Sequence, residues 1–153
     1  MLQGAGSRSP DFRSGPPMAS IFTHIIRREA PAEIVYETDH LIAFLDVYPA
    51  SDGHTLVVPK REVAGFEELT PEELSALMQG VQRVAQGAMR ALNTSHYNIM
   101  VNNGSAAGQV VYHVHVHVIP RWPGVPREKR PLDPRKARDI GAKLRAAIGA
   151  LPG

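Results

Sequence analysis

Residues 113–119 read His-Val-His-Val-His-Val-Ile, a strict alternation of imidazole and branched apolar side chains. Successive side chains of a β-strand point to opposite faces of its sheet, so this period of two predicts a strand. The histidines then share one face of the sheet and the valines share the other. Three imidazoles in a row are costly to bury without partners, so the histidine face is predicted to bind a ligand or to take part in catalysis.

The rest of the chain has clear helix and strand signals. Ser20 is an N-cap for a short amphipathic helix over residues 21–28, and Asp133-Pro134 opens a last helix. Thr70-Pro71-Glu72-Glu73 is a capping box before one apolar stripe that runs to residue 92. Strand character lies in residues 34–36, 41–45, 54–58, 97–101 and 110–119. This succession predicts an α+β fold with a five-stranded, mostly antiparallel sheet and one long central helix.

The length of the chain suits one domain, and its apolar fraction of 43% is enough for one core. Residues 1–17 are rich in Gly, Ser and Pro, so we expect a disordered extension followed by a single domain over residues 18–153 that ends in a helix. Neither a signal peptide nor a transmembrane segment is evident. We therefore expect a cytoplasmic protein with no membrane contact.

Two features of composition exclude other classes of function. The chain has no cysteine, which rules out disulfides, thiolate catalysis and zinc sites built on cysteine. Its net charge is +2, too small to imply a nucleic-acid partner, and we expect none. The basic excess is confined to residues 121–139, with seven Lys or Arg against three acidic residues, and is interpreted as a solvated surface.

From the residues alone, two chemistries remain open for the histidine row. An imidazole that is neutral near pH 7 can attack phosphorus, while its neighbours stay protonated to stabilise phosphate charge. Alternatively, a His-x-His pair with a third histidine can hold a catalytic zinc ion.

The histidine segment resembles the signature of the histidine triad (HIT) family, which is His-φ-His-φ-His-φ-φ with φ apolar, and it matches at every position. Four further segments resemble parts of that family in the same order: residues 21–26 its opening helix, 43–47 its ribose and base segment, 53–60 its second-histidine strand, and 102–109 its phosphate loop. The resemblance covers about residues 21–121. It implies a bacterial-type nucleotide hydrolase that forms a homodimer and needs no metal or cofactor.

The resemblance implies a role for each of four histidines. His115 would be the nucleophile that takes the α-phosphoryl group and forms a covalent nucleotidyl-histidine. His113 would support that group in a relay with His54, and His117 would hydrogen-bond the leaving group as it departs. Water would then release the nucleoside monophosphate. A histidine at position 117, where the transferase branch has glutamine, favours hydrolysis.

The resemblance also implies the binding residues for a purine nucleotide, either a nucleoside phosphoramidate or a dinucleoside polyphosphate. Asp46 would bind the ribose hydroxyls with its carboxylate. The base pocket would be lined by Ile21, Phe22, Ile25, Phe44 and Val47. The phosphate would contact Asn102 and the backbone near Gly108, Gln109 and Val110. Val110 stands where many members have Ser or Thr, so it offers no hydroxyl.

Two alternatives stay open beside the nucleotide hydrolase. One is a zinc-dependent hydrolase that uses His113, His115 and His117, although no carboxylate base lies near the motif. The other is a non-catalytic module that binds a nucleotide or a partner protein. Sensitivity to a chelator separates the metal enzyme from the covalent one.

Overall fold

The computed structural model describes residues 19–153. Its five strands form one antiparallel sheet in the order β1-β2-β3-β5-β4. The strands are β1 Ile34–Glu37, β2 Leu41–Leu45, β3 Thr55–Pro59, β4 His96–Met100 and β5 Val116–Arg121. The α-helices are α1 Ile21–Ile26, α2 Pro71–Leu92 and α3 Pro134–Gly149. The predicted α+β class and the long central helix are confirmed, whereas the predicted disordered extension over residues 1–17 lies outside the described residues.

Helix α2 covers the valine face of the sheet. It begins with the capping box: the Thr70 hydroxyl accepts from the Glu73 amide at 3.1 Å, and the Glu73 carboxylate accepts from the Thr70 amide at 2.9 Å. Its apolar stripe and helix α3 bury the core with the valines of the histidine segment. The buried core residues include Leu77, Val81, Val84, Leu144, Ile148, Val114, Val116 and Val118.

The start of β5 corrects the sequence prediction. Residues 110–115 are irregular, and the strand begins at Val116, although a strand was predicted over residues 110–119. Strand β3 ends at Pro59, and the Val114 amide bonds instead to the Val63 carbonyl at 2.8 Å, beyond that end. The valines are nevertheless buried in the α2 core, so the predicted separation of the two faces persists in the irregular part.

The opposite face of the sheet carries a smaller apolar cluster beneath α1. Its buried members are Phe22, Ile25, Ile42, Phe44, Leu56 and Val58. Helix α1 therefore lies on the histidine side of the sheet, where the candidate site is found. None of the α-helices within residues 19–153 combines the length and the apolar character needed to cross a lipid bilayer.

A methyl group at Gly87 is expected to strain the contact between α2 and α3. A Cβ there would lie 2.4 Å from Ile148 Cγ1 and 3.3 Å from Ile148 N, whereas a Cβ at Gly149 would meet nothing within 4 Å. Overpacking of this kind costs about 1–3 kcal/mol. We expect Gly87→Ala to melt at a lower temperature than the control Gly149→Ala in thermal unfolding. Equal melting temperatures would show that α2 and α3 accommodate the added methyl group without strain.

Candidate active site

The four histidines predicted to be catalytic lie in a row on one face of the sheet. His113 and His115 lead into β5, His117 lies within it, and His54 directly precedes β3. All four side chains are more than nine-tenths buried. The ring centroids of His115 and His117 are 5.0 Å apart, and those of His54 and His117 are 5.2 Å apart.

Hydrogen bonds determine which nitrogen of His54 and of His117 carries the proton. The Ala50 amide donates to Nδ1 of His54 at 2.9 Å, so the proton of the neutral ring is on Nε2. That Nε2 donates to Nδ1 of His117 at 2.9 Å, which places the His117 proton on Nε2. Nε2 of His117 is buried and has no partner among residues 19–153. Because an unpaired buried N–H is costly, this group is a candidate donor to a bound ligand.

His115 has the tautomer that a nucleophile needs. Its Nδ1 lies 2.8 Å from the His113 carbonyl oxygen, which can only accept, so Nδ1 carries the proton. Nε2 therefore keeps a free lone pair. The ring contacts both His117 and Phe22, and the Phe22 and His115 centroids are 5.0 Å apart at 80°.

Burial keeps these imidazoles neutral. Desolvation lowers the pKa of His113 and of His115 below the ordinary value, and it lowers the pKa of His54 and of His117 to about 4. The His115 ring is therefore neutral near pH 7. The neighbouring imidazoles are also neutral, contrary to the expectation that they stay protonated.

Mild acid is expected to destabilise this fold. Because the pKa values of His54 and His117 are about 4 in the fold, against 6.5 ordinarily, the unfolded chain binds more protons than the folded one between these values. The free energy of unfolding should fall as the pH is lowered from about 6.5 toward 4. Urea unfolding across this range should show a shallower pH slope for His117→Gln than for the wild type.

Both nitrogens of His113 are occupied, as are those of His54. Nε2 of His113 donates to the Pro59 carbonyl at 2.8 Å, and its Nδ1 lies 2.7 Å from the Ser20 hydroxyl. The predicted relay between His113 and His54 is wrong. The antiparallel register pairs Leu56 with His117, so His54 at that end of β3 reaches His117, while His113 lies beside α1.

Asp46 lies at the edge of the histidine cluster, just after β2. Its Oδ1 accepts from the Tyr48 amide at 2.9 Å, and its Oδ2 is 3.5 Å from Nε2 of His54. Ligand atoms of Asp46, His54 and His117 lie within 4.8 Å of one another and could approach a metal ion. However, the Ala50 amide holds the proton of His54 on the nitrogen that such an ion would need.

The three triad histidines themselves do not fit a zinc ion. His113 has no free nitrogen, and Nε2 of His117 carries a proton because its Nδ1 accepts from His54, so of the three rings His115 alone presents a free lone pair within residues 19–153. A tetrahedral site needs converging lone pairs, and this row does not supply them.

The residues predicted for the base pocket separate into two groups. Phe22 and Phe44 contact edge to face with centroids 5.3 Å apart, and both are buried together with Ile25. Ile21 and Val47 are exposed, by 49% and 74%. A base could therefore rest directly on Ile21 and Val47, whereas the three buried side chains support the pocket from beneath.

The predicted phosphate loop is closed by its own hydrogen bonds. Gln109 is buried, its Oε1 accepts from the Gly104 amide at 2.7 Å, and its Nε2 donates to the Ala64 carbonyl at 2.9 Å. The amides of Gly108 and Gln109 each donate to a carbonyl of this loop at 3.0 Å, so neither is free for phosphate. Asn102, whose amide lies beside Gly108, and the exposed Val110 stay candidates.

The HIT domain matches residues 27–124, a span that includes β1 to β5 and the three triad histidines. The chain belongs to the HIT family. It is 47% identical over 104 residues to an uncharacterized HIT-like protein of Methanocaldococcus jannaschii, covering 68% of this chain and 80% of the relative. It is 34% identical over 141 residues to the adenosine 5'-monophosphoramidase hnt1 of Schizosaccharomyces pombe, covering 86% of this chain and 99% of the relative.

Solved HIT structures share this fold. The crystal structure of a zinc-bound histidine triad family protein from Mycobacterium smegmatis is 35% identical, with a TM-score of 0.77. The similarity covers 84% of this chain and 92% of that one. The five-stranded sheet is therefore the HIT fold.

Sequence reasoning missed two polar residues of this HIT protein that contact the site. Ser20 was identified only as a helix cap, yet its hydroxyl is bonded to His113. Glu62 lies in a charged segment after β3, and its carboxylate binds both Ser20 and Thr23. A lone glutamate among exposed charges carries no signal in the sequence that separates it from a solvated surface.

Proposed function

We propose that this HIT protein hydrolyses a purine nucleotide at its α-phosphate through a covalent intermediate on His115. One observation carries the proposal: within residues 19–153, Nε2 of His115 has a free lone pair and the Nε2–H of His117 has no partner, on two rings whose centroids are 5.0 Å apart. A nucleophile next to a donor for the leaving group is the arrangement that in-line displacement at phosphorus requires.

The first step forms a bond between His115 Nε2 and the α-phosphorus and breaks the bond from phosphorus to the leaving atom. The electron pair of the broken bond goes to that leaving atom. An arriving phosphate is an anion, so it raises the pKa of the imidazoles beside it. The His54–His117 pair then takes up one proton from solvent, and His117 passes it to the leaving atom.

The second step is hydrolysis of the covalent intermediate. Water enters the place that the leaving group vacated and loses a proton to His117, which is now neutral. Its oxygen bonds to phosphorus, and the electron pair of the P–N bond returns to His115 Nε2. Nucleoside monophosphate leaves, and Asp46 holds the ribose hydroxyls through both steps.

A direct assay tests the function. The protein is incubated with labelled adenosine phosphoramidate and, separately, with a diadenosine polyphosphate, each with and without a chelator. We expect AMP from at least one substrate at a rate that the chelator does not change. The relative named as an adenosine 5'-monophosphoramidase supports the first substrate. Absence of AMP from both would contradict the proposal, and loss of activity with the chelator would favour a metal enzyme.

We further propose that the protein is a homodimer joined at β4. All five residues of this edge strand are exposed, including Tyr97 and Ile99 at 41% each. An unpaired apolar edge favours addition of another strand, and a second copy would bury it. We expect sedimentation at micromolar concentration to give a dimer, and Ile99→Lys to give a monomer. A wild-type protein that stays monomeric would refute the interface.

A further inference from the structure

A cluster of four polar side chains joins helix α1 to the histidine segment. We call it the Glu62 cluster; its members are Ser20, Thr23, Glu62 and His113. Three parts of the chain meet there: the start of α1, the segment after β3, and the irregular residues before β5. None of its side chains belongs to the Asp46–His54–His117 group on the other side of His115.

The donor and the acceptor of each hydrogen bond in the Glu62 cluster can be assigned. The Ser20 amide donates to Glu62 Oε1 at 2.9 Å, and the Thr23 hydroxyl makes a short hydrogen bond to the same oxygen. Nε2 of His113 donates to a carbonyl, so its Nδ1 accepts from the Ser20 hydroxyl. The Thr23 amide in turn donates to the Ser20 oxygen at 3.1 Å. A fully satisfied polar network restricts its members to one arrangement.

The carboxylate of Glu62 is ionised near neutral pH. Burial by itself raises the pKa of Glu62, but hydrogen bonds from Thr23 and Ser20 outweigh it and leave the pKa below the ordinary value. The side chain is still partly exposed, with 32% of its surface accessible. A charged acceptor therefore holds the first turn of α1 at modest desolvation cost.

Both supports of the His115 ring are tied to the Glu62 cluster. The His113 carbonyl accepts the Nδ1–H of His115 and so determines its tautomer. Phe22 lies between Ser20 and Thr23 on α1, and its ring contacts both His113 and His115, with centroids 5.8 and 5.0 Å apart. A shift of α1 would therefore move the Phe22 ring away from its contact with His115.

We infer that Glu62 is a positioning residue for the nucleophile, acting through Ser20 and Thr23 to hold α1 and His113 against the ring of His115. Glu62 itself touches neither the substrate nor the reacting atoms. The inference rests on the proposed role of His115, and it assigns His113 to the support of the nucleophile.

The test compares four variants in single-turnover experiments at saturating nucleotide. Glu62→Gln keeps the shape but removes the charge, Ser20→Ala removes the hydroxyl, and Ser20→Thr restores it. Glu72→Gln makes the same charge change on the exposed first turn of α2. Because small misplacement of reacting groups costs up to about 100-fold, we expect Glu62→Gln and Ser20→Ala to slow adduct formation by about 10- to 100-fold. Ser20→Thr and Glu72→Gln should stay close to wild type.

A second readout separates positioning from stability. The ¹⁵N spectrum of the imidazoles reports which nitrogen carries the proton. Wild type should show His115 protonated at Nδ1 alone, and the two impaired variants should show a mixture of tautomers at temperatures well below unfolding. Variants that melt earlier yet keep the wild-type adduct rate and tautomer would overturn the inference. If wild type forms no adduct on His115, the proposed function fails, which is a result distinct from equal rates in wild type and variants.

Discussion

His115→Asn should lose turnover by about four orders of magnitude or more while keeping the fold and nucleotide binding. The asparagine amide can still donate to the His113 carbonyl, as Nδ1–H does now, so the local backbone keeps its partner. The variant lacks the Nε2 lone pair, and no neighbour can replace it. His113 has both nitrogens occupied, and His117 presents an N–H toward the site.

The measurement is rapid quench followed by mapping of the nucleotide-bearing peptide by mass spectrometry. A phosphoramidate adduct is stable in base and labile in acid, so quenching is done in base. The matched control is His40→Asn, which removes an exposed imidazole from the turn between β1 and β2. Finding the nucleotide on a residue other than His115, or near-normal turnover in His115→Asn, would refute the covalent mechanism.

His117→Gln should slow the reaction in proportion to how poor the leaving group is. A donor that delivers a proton contributes about 10²- to 10⁴-fold, and this contribution matters most for a basic leaving atom. We therefore expect a loss of about 10³-fold for alkylamine phosphoramidates and much less for a nitrophenyl ester, which departs without a proton. The cause is the Nε2–H of His117, which has no other partner among the described residues.

The measurement is a series of nucleotide substrates whose leaving groups span a wide range of pKa. The rate of adduct formation in wild type should depend weakly on leaving-group pKa, and in His117→Gln the dependence should be steep. His54→Gln should change the slope in the same direction but less, because His54 acts through Nδ1 of His117. Since the two act as one pair, the double variant should be little worse than His117→Gln alone. A parallel loss across the whole series would exclude the proton-delivery role.

Features that arise from short-range physics could be predicted before folding. The capping box at Thr70 predicts the start of α2, because its hydrogen bonds span three residues and form wherever the helix does. The alternation over residues 113–119 predicts which side chains share a face, and it held even where β5 is irregular, because burial of the valines enforces it. Similarity to the HIT signature then indicated His115, His117, His54 and Asp46, which the fold brings together on one face of the sheet.

The contacts among those residues depend on long-range packing that no local pattern specifies. His54 binds His117 and not His113 because the antiparallel register places residues 63 positions apart side by side. The tautomer of each ring depends on a carbonyl or amide that no local pattern specifies, such as the Ala50 amide. Gln109 closes its own loop instead of facing phosphate, because Ala64 and Gly104 lie within reach once the chain has folded. Glu62 reaches Ser20 across 42 positions of sequence, and such contacts exist only after the sheet has brought α1 and the end of β3 together.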